Sequence, residues 1–223
     1  MILANALVET FLDGGPIMWP LLACLILALA VMAERALWWR RVARLGADGA
    51  FARALWDIRL GNLAPAWEAT EGKATPYLRS LRSGLANTRT DPAAAMVLRA
   101  EAEVEESRRR LWVLGTLITL APLLGLLGTV IGIMQSFDFI GGEQLAIAKV
   151  SGGVGEALIA TAAGLGIAIL CLLPHNLLAR RSAELRHDLD QAISQAELAL
   201  RAAAAAGHRP ESFQPRETRA EAP

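Results

Sequence analysis

Three observations predict an all-α membrane protein with three transmembrane helices. Apolar residues make up 54% of the chain and gather into three long runs, near 17–37, 111–137 and 153–178. Each run reaches the roughly 20 residues that span a bilayer, and alternating strand patterns with turn signals are hard to find. Basic residues, finally, are absent before Ile17 and abundant between the first two runs, where Arg40, Arg41, Arg44 and Arg108–Arg110 lie. They fall to Lys149 alone before the third run and return after it as Arg180, Arg181 and Arg186. A formal net charge of zero hides this alternation, which by the positive-inside rule puts the N-terminus outside the cytoplasm and the C-terminus inside.

Residues 1–16 read as a periplasmic amphipathic segment, with Ile2, Leu3, Ala6, Leu7 and Phe11 on one side and Asn5, Glu9 and Asp13 on the other. No basic stretch precedes the apolar run, so a cleaved signal peptide is not expected. The first span, 17–39, begins near Pro20, where a missing N–H is tolerated. Trp19, Trp38, Trp39 and Trp112 mark membrane interfaces, and Glu34 with Arg35 reads as an interfacial anchor.

A cytoplasmic helical region, 40–110, follows, with short patterns at 51–60 and, behind Thr75–Pro76, at 77–85. Asp91–Pro92 is a sharper helix start, an N-cap acceptor followed by proline at the first helical position. From there to Gly115 nothing breaks the pattern, so 92–137 is expected to be one helix of roughly 70 Å, about half of it outside the bilayer. The run Glu101, Glu103, Glu105, Glu106 and Arg108–Arg110 reads as a solvated face.

In the second span, 111–137, Gly125, Thr129, Gly132 and Ser136 share a small, weakly polar face, while Leu123, Leu127, Ile131 and Met134 lie mostly opposite. Gly128 and Gly132 form a GxxxG pair, and Pro122 is expected to bend the helix. A periplasmic loop, 138–152, turns at Gly141–Gly142. The third span, 153–178, carries a stripe of Gly152, Glu156, Ala160, Gly164 and Ala168 at every fourth position, with Leu158, Leu165, Ile169 and Leu172 opposite. Pro174 is a second expected kink. A cytoplasmic helix, 179–206, continues with Leu185, Leu189, Ile193, Ala196 and Leu200, and 207–223, with three prolines, reads as a disordered tail.

Glu156 is the only acid well inside the second or third span. A carboxylate at mid-membrane costs about 2.5–3.5 kcal/mol on insertion scales. It is either a functional group or a cap on the positive end of the third helix. Thr129 and Thr161 either serve an ion path or bond their own helix backbone. Glu156 and Thr161 are about 140° apart on a straight helix, so they cannot both face one narrow pore from the same subunit. The small faces of both spans are expected to turn toward a shared, poorly solvated axis. Cys24 and Cys171 read as packing residues, and His175, His187 and His208 give no metal spacing. The glycines lack the context of a nucleotide site. No enzyme, metal, cofactor or nucleic-acid partner is expected.

The stretches LGLLGTVIGIMQSF (124–137), GVGEALIATAAGLGIAIL (153–170) and PHNLLARR (174–181) resemble the MotA/TolQ/ExbB proton-channel family. GGPIMWPLL (14–22) with ERALWW (34–39) is similar to the ExbB and TolQ type, and the likeness extends over 14–183. Three spans fit ExbB first and TolQ next. The resemblance implies a homopentamer in the bacterial inner membrane around an ExbD- or TolR-like single-span partner that supplies a membrane aspartate. It implies a proton-motive-force-driven motion that energises a TonB-like or TolA-like protein. Carried onto this chain, the pore-facing positions would be Thr129, Thr161 and Glu156, with Gly125, Gly128, Gly132, Gly152, Ala160, Gly164 and Ala168 packing helices. His175 stands where the family usually has tyrosine. A non-conducting membrane scaffold and a solute transporter are the rival readings.

Overall fold

The computed structural model describes residues 9–45, 49–72, 75–137 and 146–215. Within them the elements are helices: α1 (Met18–Leu45), α2 (Ala50–Arg59), α3 (Leu63–Thr70), α4 (Pro76–Ala86), α5 (Pro92–Arg108), α6 (Leu111–Phe137) and α7 (Ala146–Ala205). α1, α6 and α7 each contain a stretch long and apolar enough to cross a membrane. The amphipathic positions 2–7, the glycine turn at 141–142 and the tail 216–223 lie outside the described residues. Two compact units emerge, Met1–Arg35 with Arg110–Ala179, and Ala36–Arg109 with Arg180–Pro223.

In the first unit, residues 9–13 are helical and a turn at Gly14–Ile17 leads into α1. The Met18 N–H donates to the Gly15 carbonyl at 3.1 Å and the Trp19 N–H to Pro16 at 3.3 Å. Phe11 meets Trp19 edge-on with ring centroids 5.2 Å apart. α1 buries Met18, Leu21, Cys24, Ala28, Val31 and Arg35, the three-and-four spacing of one helical face. Both cysteines are buried and free, as packing residues should be. Arg35 departs from the anchor role expected of it. Only 2% exposed, it donates to Glu34 at 2.9 Å, and Glu34 also pairs with Arg110. Buried charge is retained where it is paired.

The helix expected over 92–137 is two. α5 stops at Arg108, its C-cap Arg109 leaves the helix with φ −50° and ψ 131°, and Arg110 takes a left-handed φ of 62°. That conformation costs a non-glycine residue about 1–2 kcal/mol. No glycine or proline announces the break. The Glu34 carboxylate that holds the Arg110 side chain comes from α1, invisible to a local reading. Both membrane-type helices run unbroken through their prolines, Pro122 in α6 and Pro174 in α7. α7 begins at Ala146, so residues 146–152, read as loop, are helical.

The second unit has a conventional apolar core. Ile58, Leu81, Leu85, Met96 and Val104 pack with Leu185, Leu189, Ile193, Ala196 and Leu200 from α7, the very stripe visible in the sequence. The predicted cap is present, Asp91 accepting from the Ala94 N–H at 2.9 Å, and Thr75 caps α4 likewise, accepting from the Leu78 N–H at 3.2 Å. Three expectations change. Trp38 and Trp39 pack against this core instead of marking an interface. Glu103, in the run read as solvated, is 3% exposed and held by Arg79 at 2.6 Å and Arg99 at 2.7 Å. Residues 207–215 are ordered, with a 3₁₀ turn at Pro210–Ser212 and Phe213 placed 6.3 Å from Trp67. An apolar surface on α3 accounts for the last difference, since it gives Phe213 somewhere to be buried.

Glu103→Ala would leave two guanidiniums facing each other without their shared acid. It should destabilise the protein by about 1–3 kcal/mol, read from denaturant unfolding. Tyr77, the only tyrosine, donates to Asp188 Oδ2 over a long 3.3 Å. Burial first, then the Asp188 charge, pushes its hydroxyl up to about 12. The folded state thus favours neutral tyrosine. This contribution is complete below the ordinary value of about 10 and is lost as pH climbs toward the folded value. An absorbance titration should show a tyrosinate midpoint near 12. In Asp188→Asn the midpoint should fall but stay above about 10, because burial remains.

Candidate functional site: the α6–α7 helix pair

Hydrocarbon offers no hydrophobic drive for two helices to associate, so they do so by packing, and small residues permit the closest approach. α6 and α7 show this directly. A Cβ added at Gly125 would lie 2.9 Å from the Thr161 Cα and 3.0 Å from the Ala160 carbonyl oxygen. At Gly132 it would lie 2.9 Å from the Ala157 Cβ and 3.0 Å from the Gly153 oxygen. At Gly164 it would fall well inside contact distance of the Ala121 carbonyl. Gly128 is closed on two sides, by Ala160 Cβ at 2.8 Å and by Ile17 Cγ2 at 2.8 Å. The Ser136 hydroxyl donates to the Gly132 oxygen at 2.7 Å beside Gly153.

The predicted packing set therefore falls into two parts. Gly125, Gly128, Gly132, Ala160 and Gly164 meet across the pair, and Ala168 is buried. Gly152 is exposed and faces open space. The small faces were expected to turn toward a shared axis that a foreign acid could occupy. Instead they are spent on each other within the chain, leaving no room for a methyl group. The packed face of α6 runs through Gly128, one residue from the expected Thr129. The expected bulky sides are exposed, with Leu123, Leu127, Met134, Leu158, Leu165, Ile169 and Leu172 on the surface.

The three candidate ion-path residues sit in different surroundings, and among the described residues no hydrogen bond joins them. Thr129 is half-buried and donates to the Leu126 carbonyl of its own helix at 2.6 Å, the local bond open to any helical threonine. Thr161 does otherwise: its hydroxyl crosses to the Gly125 carbonyl on α6 at 2.8 Å. Glu156 is half-buried and makes no hydrogen bond or ion pair among the described residues. It lines a pocket of about 160 Å³ with Gly14, Pro16, Ile17, Gly128, Ile131 and Gly132. His175 lies beside Gly115, whose added Cβ would be 3.4 Å from its Nε2.

No group of His, Cys, Asp and Glu able to hold a metal occurs among the described residues. α6 contains no charged residue, and residues 152–179 contain Glu156 as their only acid, with no Lys or Arg. Such a pair offers hydroxyls, one carboxylate and close backbone packing.

The model of the MotA/TolQ/ExbB proton channel family matches residues 73–191, across α6 and most of α7. The chain belongs to that family. A Synechocystis relative, "Putative biopolymer transport protein ExbB-like 1", is 37% identical over 180 residues, covering 77% of this chain and 70% of the relative. The "Biopolymer transport protein ExbB" of Neisseria gonorrhoeae is 51% identical over 71 residues, 31% of this chain and 32% of the relative. The "Tol-Pal system protein TolQ" of Haemophilus influenzae is 37% identical over 102 residues, 45% of each chain. With three membrane-length helices, this member of the MotA/TolQ/ExbB family is a multi-pass membrane protein.

Sequence reasoning missed the contribution of the turn before α1. Gly14, Pro16 and Ile17 border Glu156, and the signal available was the adjacent pair Gly14–Gly15 next to a proline. It also missed Ala121, Ala157 and Gly153 as packing partners, because alanine and glycine are common throughout the chain.

The packing makes a position-specific prediction. Gly125→Ala and Gly164→Ala should each lower stability by about 1–3 kcal/mol through overpacking. Gly155→Ala and Gly166→Ala, with nothing near the new methyl, should leave it within about 0.5 kcal/mol of the parent. Denaturant unfolding in one detergent compares the four.

Proposed function

We propose that this chain is the ExbB-like subunit of an inner-membrane motor driven by the proton-motive force. In this reading it forms a homopentamer around an ExbD/TolR-like single-span protein and energises TonB-dependent transport across the outer membrane. Its N-terminus is periplasmic, its C-terminus is cytoplasmic, and it carries out no enzymatic step. The observation that carries the reading is the match over 180 residues to a relative named as ExbB-like. The chemistry of the helix pair supports it. Between 111 and 179 the Asp, Lys and Arg residues are Asp138, just past α6, and Lys149, in the first turn of α7. In this reading the second ionisable group at mid-membrane comes from the single-span partner.

The hydroxyls of Thr129 and Thr161 each donate to a backbone carbonyl and keep lone pairs free to accept from a protonated carboxyl. On rotating, each donates to the ionised form. Glu156 supplies the chain's own carboxylate beside a pocket large enough for water. A TolQ-like role in envelope maintenance is the second reading, favoured by the Haemophilus influenzae match. The ExbB-like reading is put first because the match to that relative is longer.

Glu156→Ala and Thr161→Val should each abolish energised transport while the protein still inserts. Thr161→Val should cost only about 0.6–1.7 kcal/mol of stability, the range for one interhelical bond in a membrane. Transport assays beside membrane-insertion blots check both, and full activity in both variants sinks the site assignment. Proton flux into vesicles holding the chain and its partner separates a conductor from a scaffold. A scaffold shows no flux that depends on Thr129 or Thr161.

A further inference from the structure

The turn that precedes α1 touches Glu156 at a position where only glycine fits. Gly15 has a φ of +70°, a left-handed conformation that residues with a side chain rarely adopt. A Cβ built there would overlap the Glu156 Oε1 and lie 2.6 Å from its Cδ and 3.1 Å from its Cγ. The end of the glutamate thus occupies the volume a side chain at residue 15 would take. The neighbouring Gly14 is buried, and a Cβ on it would lie 2.6 Å from the Met18 Cγ and 3.0 Å from the Ile159 Cγ2. Ile159 follows Glu156 by three residues, on the same side of α7, so the turn is seated on α7 at two adjacent places. Among the described residues no hydrogen bond or ion pair holds the carboxylate, and the space at Gly15 is what fits around it. The rest of its pocket is apolar or backbone: Gly14, Pro16, Ile17, Gly128, Ile131 and Gly132.

We propose that Gly15 is the positioning residue for Glu156, its missing side chain forming the seat that aims the carboxylate into this pocket. The proposal rests on the reading of Glu156 as an ion-path acid for its functional consequence, but not for the contact itself. A side chain at residue 15 forces the carboxylate into another rotamer. A glutamate shortened by one methylene withdraws from the overlap.

Two measurements test it. The first is a thermal unfolding cycle in detergent with the parent, Gly15→Ala, Glu156→Ala and the double variant. The seat predicts that Gly15→Ala lowers the midpoint more in the parent than in the Glu156→Ala background, where the space has been vacated. If Gly15→Ala alone fails to accumulate in membranes but the double variant accumulates, the same conclusion holds in stronger form. Equal loss in both backgrounds overturns the seat. The second is proton flux through the complex with its single-span partner. Gly15→Ala should reduce flux by about tenfold or more, and Gly15→Ala with Glu156→Asp should recover the flux of Glu156→Asp alone. Parent-like flux in Gly15→Ala, or no recovery in the combination, overturns the positioning role. Full flux in Glu156→Ala would instead refute the ion-path reading, leaving the unfolding cycle to decide the contact.

Discussion

The backbone contact between α6 and α7 is the constraint on which the membrane unit depends. At Gly125, Gly132 and Gly164 the distance left for a side chain is less than a carbon–carbon contact. Helices of bulkier residues stand about 8–10 Å apart, and here glycine and alanine remove the atoms that would enforce such a gap. Dispersion and a crossing hydrogen bond from Thr161 to the Gly125 carbonyl reward the approach. The hydroxyl is not lost to its own helix because the neighbouring backbone is near enough to compete for it. Leu123, Leu127, Leu158 and Ile169 are turned outward, whereas Leu114, Leu117 and Ile167 stay buried.

The same closeness decides what the acid can do. With the small faces consumed, Glu156 lies at the edge of the pair, where the turn before α1 closes against it. A carboxylate in an apolar environment is costly unless it has partners or a route to water. Here Glu156 borders a pocket of about 160 Å³, and the missing side chain at Gly15 leaves the room its carboxylate occupies. Across 111–137 and 152–179 the two helices carry Glu156 as their one Asp, Glu, Lys or Arg.

The second unit follows the rules of a water-soluble bundle. Its core gathers leucine, isoleucine and alanine from α2 through α5 and from the polar half of α7. Its buried charge, Glu103, is held by two arginines, and its tail is fastened by Phe213 near Trp67. At the edge of the membrane unit, Glu34 links Arg35 to Arg110 where the chain breaks between α5 and α6. Arg110 holds a left-handed backbone there without a glycine's freedom, a strain that a charged side-chain contact helps to offset.

By itself the sequence determined the helical class, the three apolar runs and the cap at Asp91. It also determined the buried stripe from Leu185 to Leu200 and the bulky outer faces of α6 and α7. Each follows from periodicity or from a residue's effect on its own backbone, and both act over a few positions. Only the tertiary structure decided that Gly128 and not Thr129 lies on the packed face, that Gly152 stays open, and that the small faces meet each other. It alone decided that Glu103 and Arg35 are buried, that the chain breaks at Arg109–Arg110, and that Gly15 adjoins Glu156. Those outcomes depend on atoms far apart in the chain. A helical stripe states which residues share a side, whereas the neighbour that fills the space beside it is settled by three-dimensional packing.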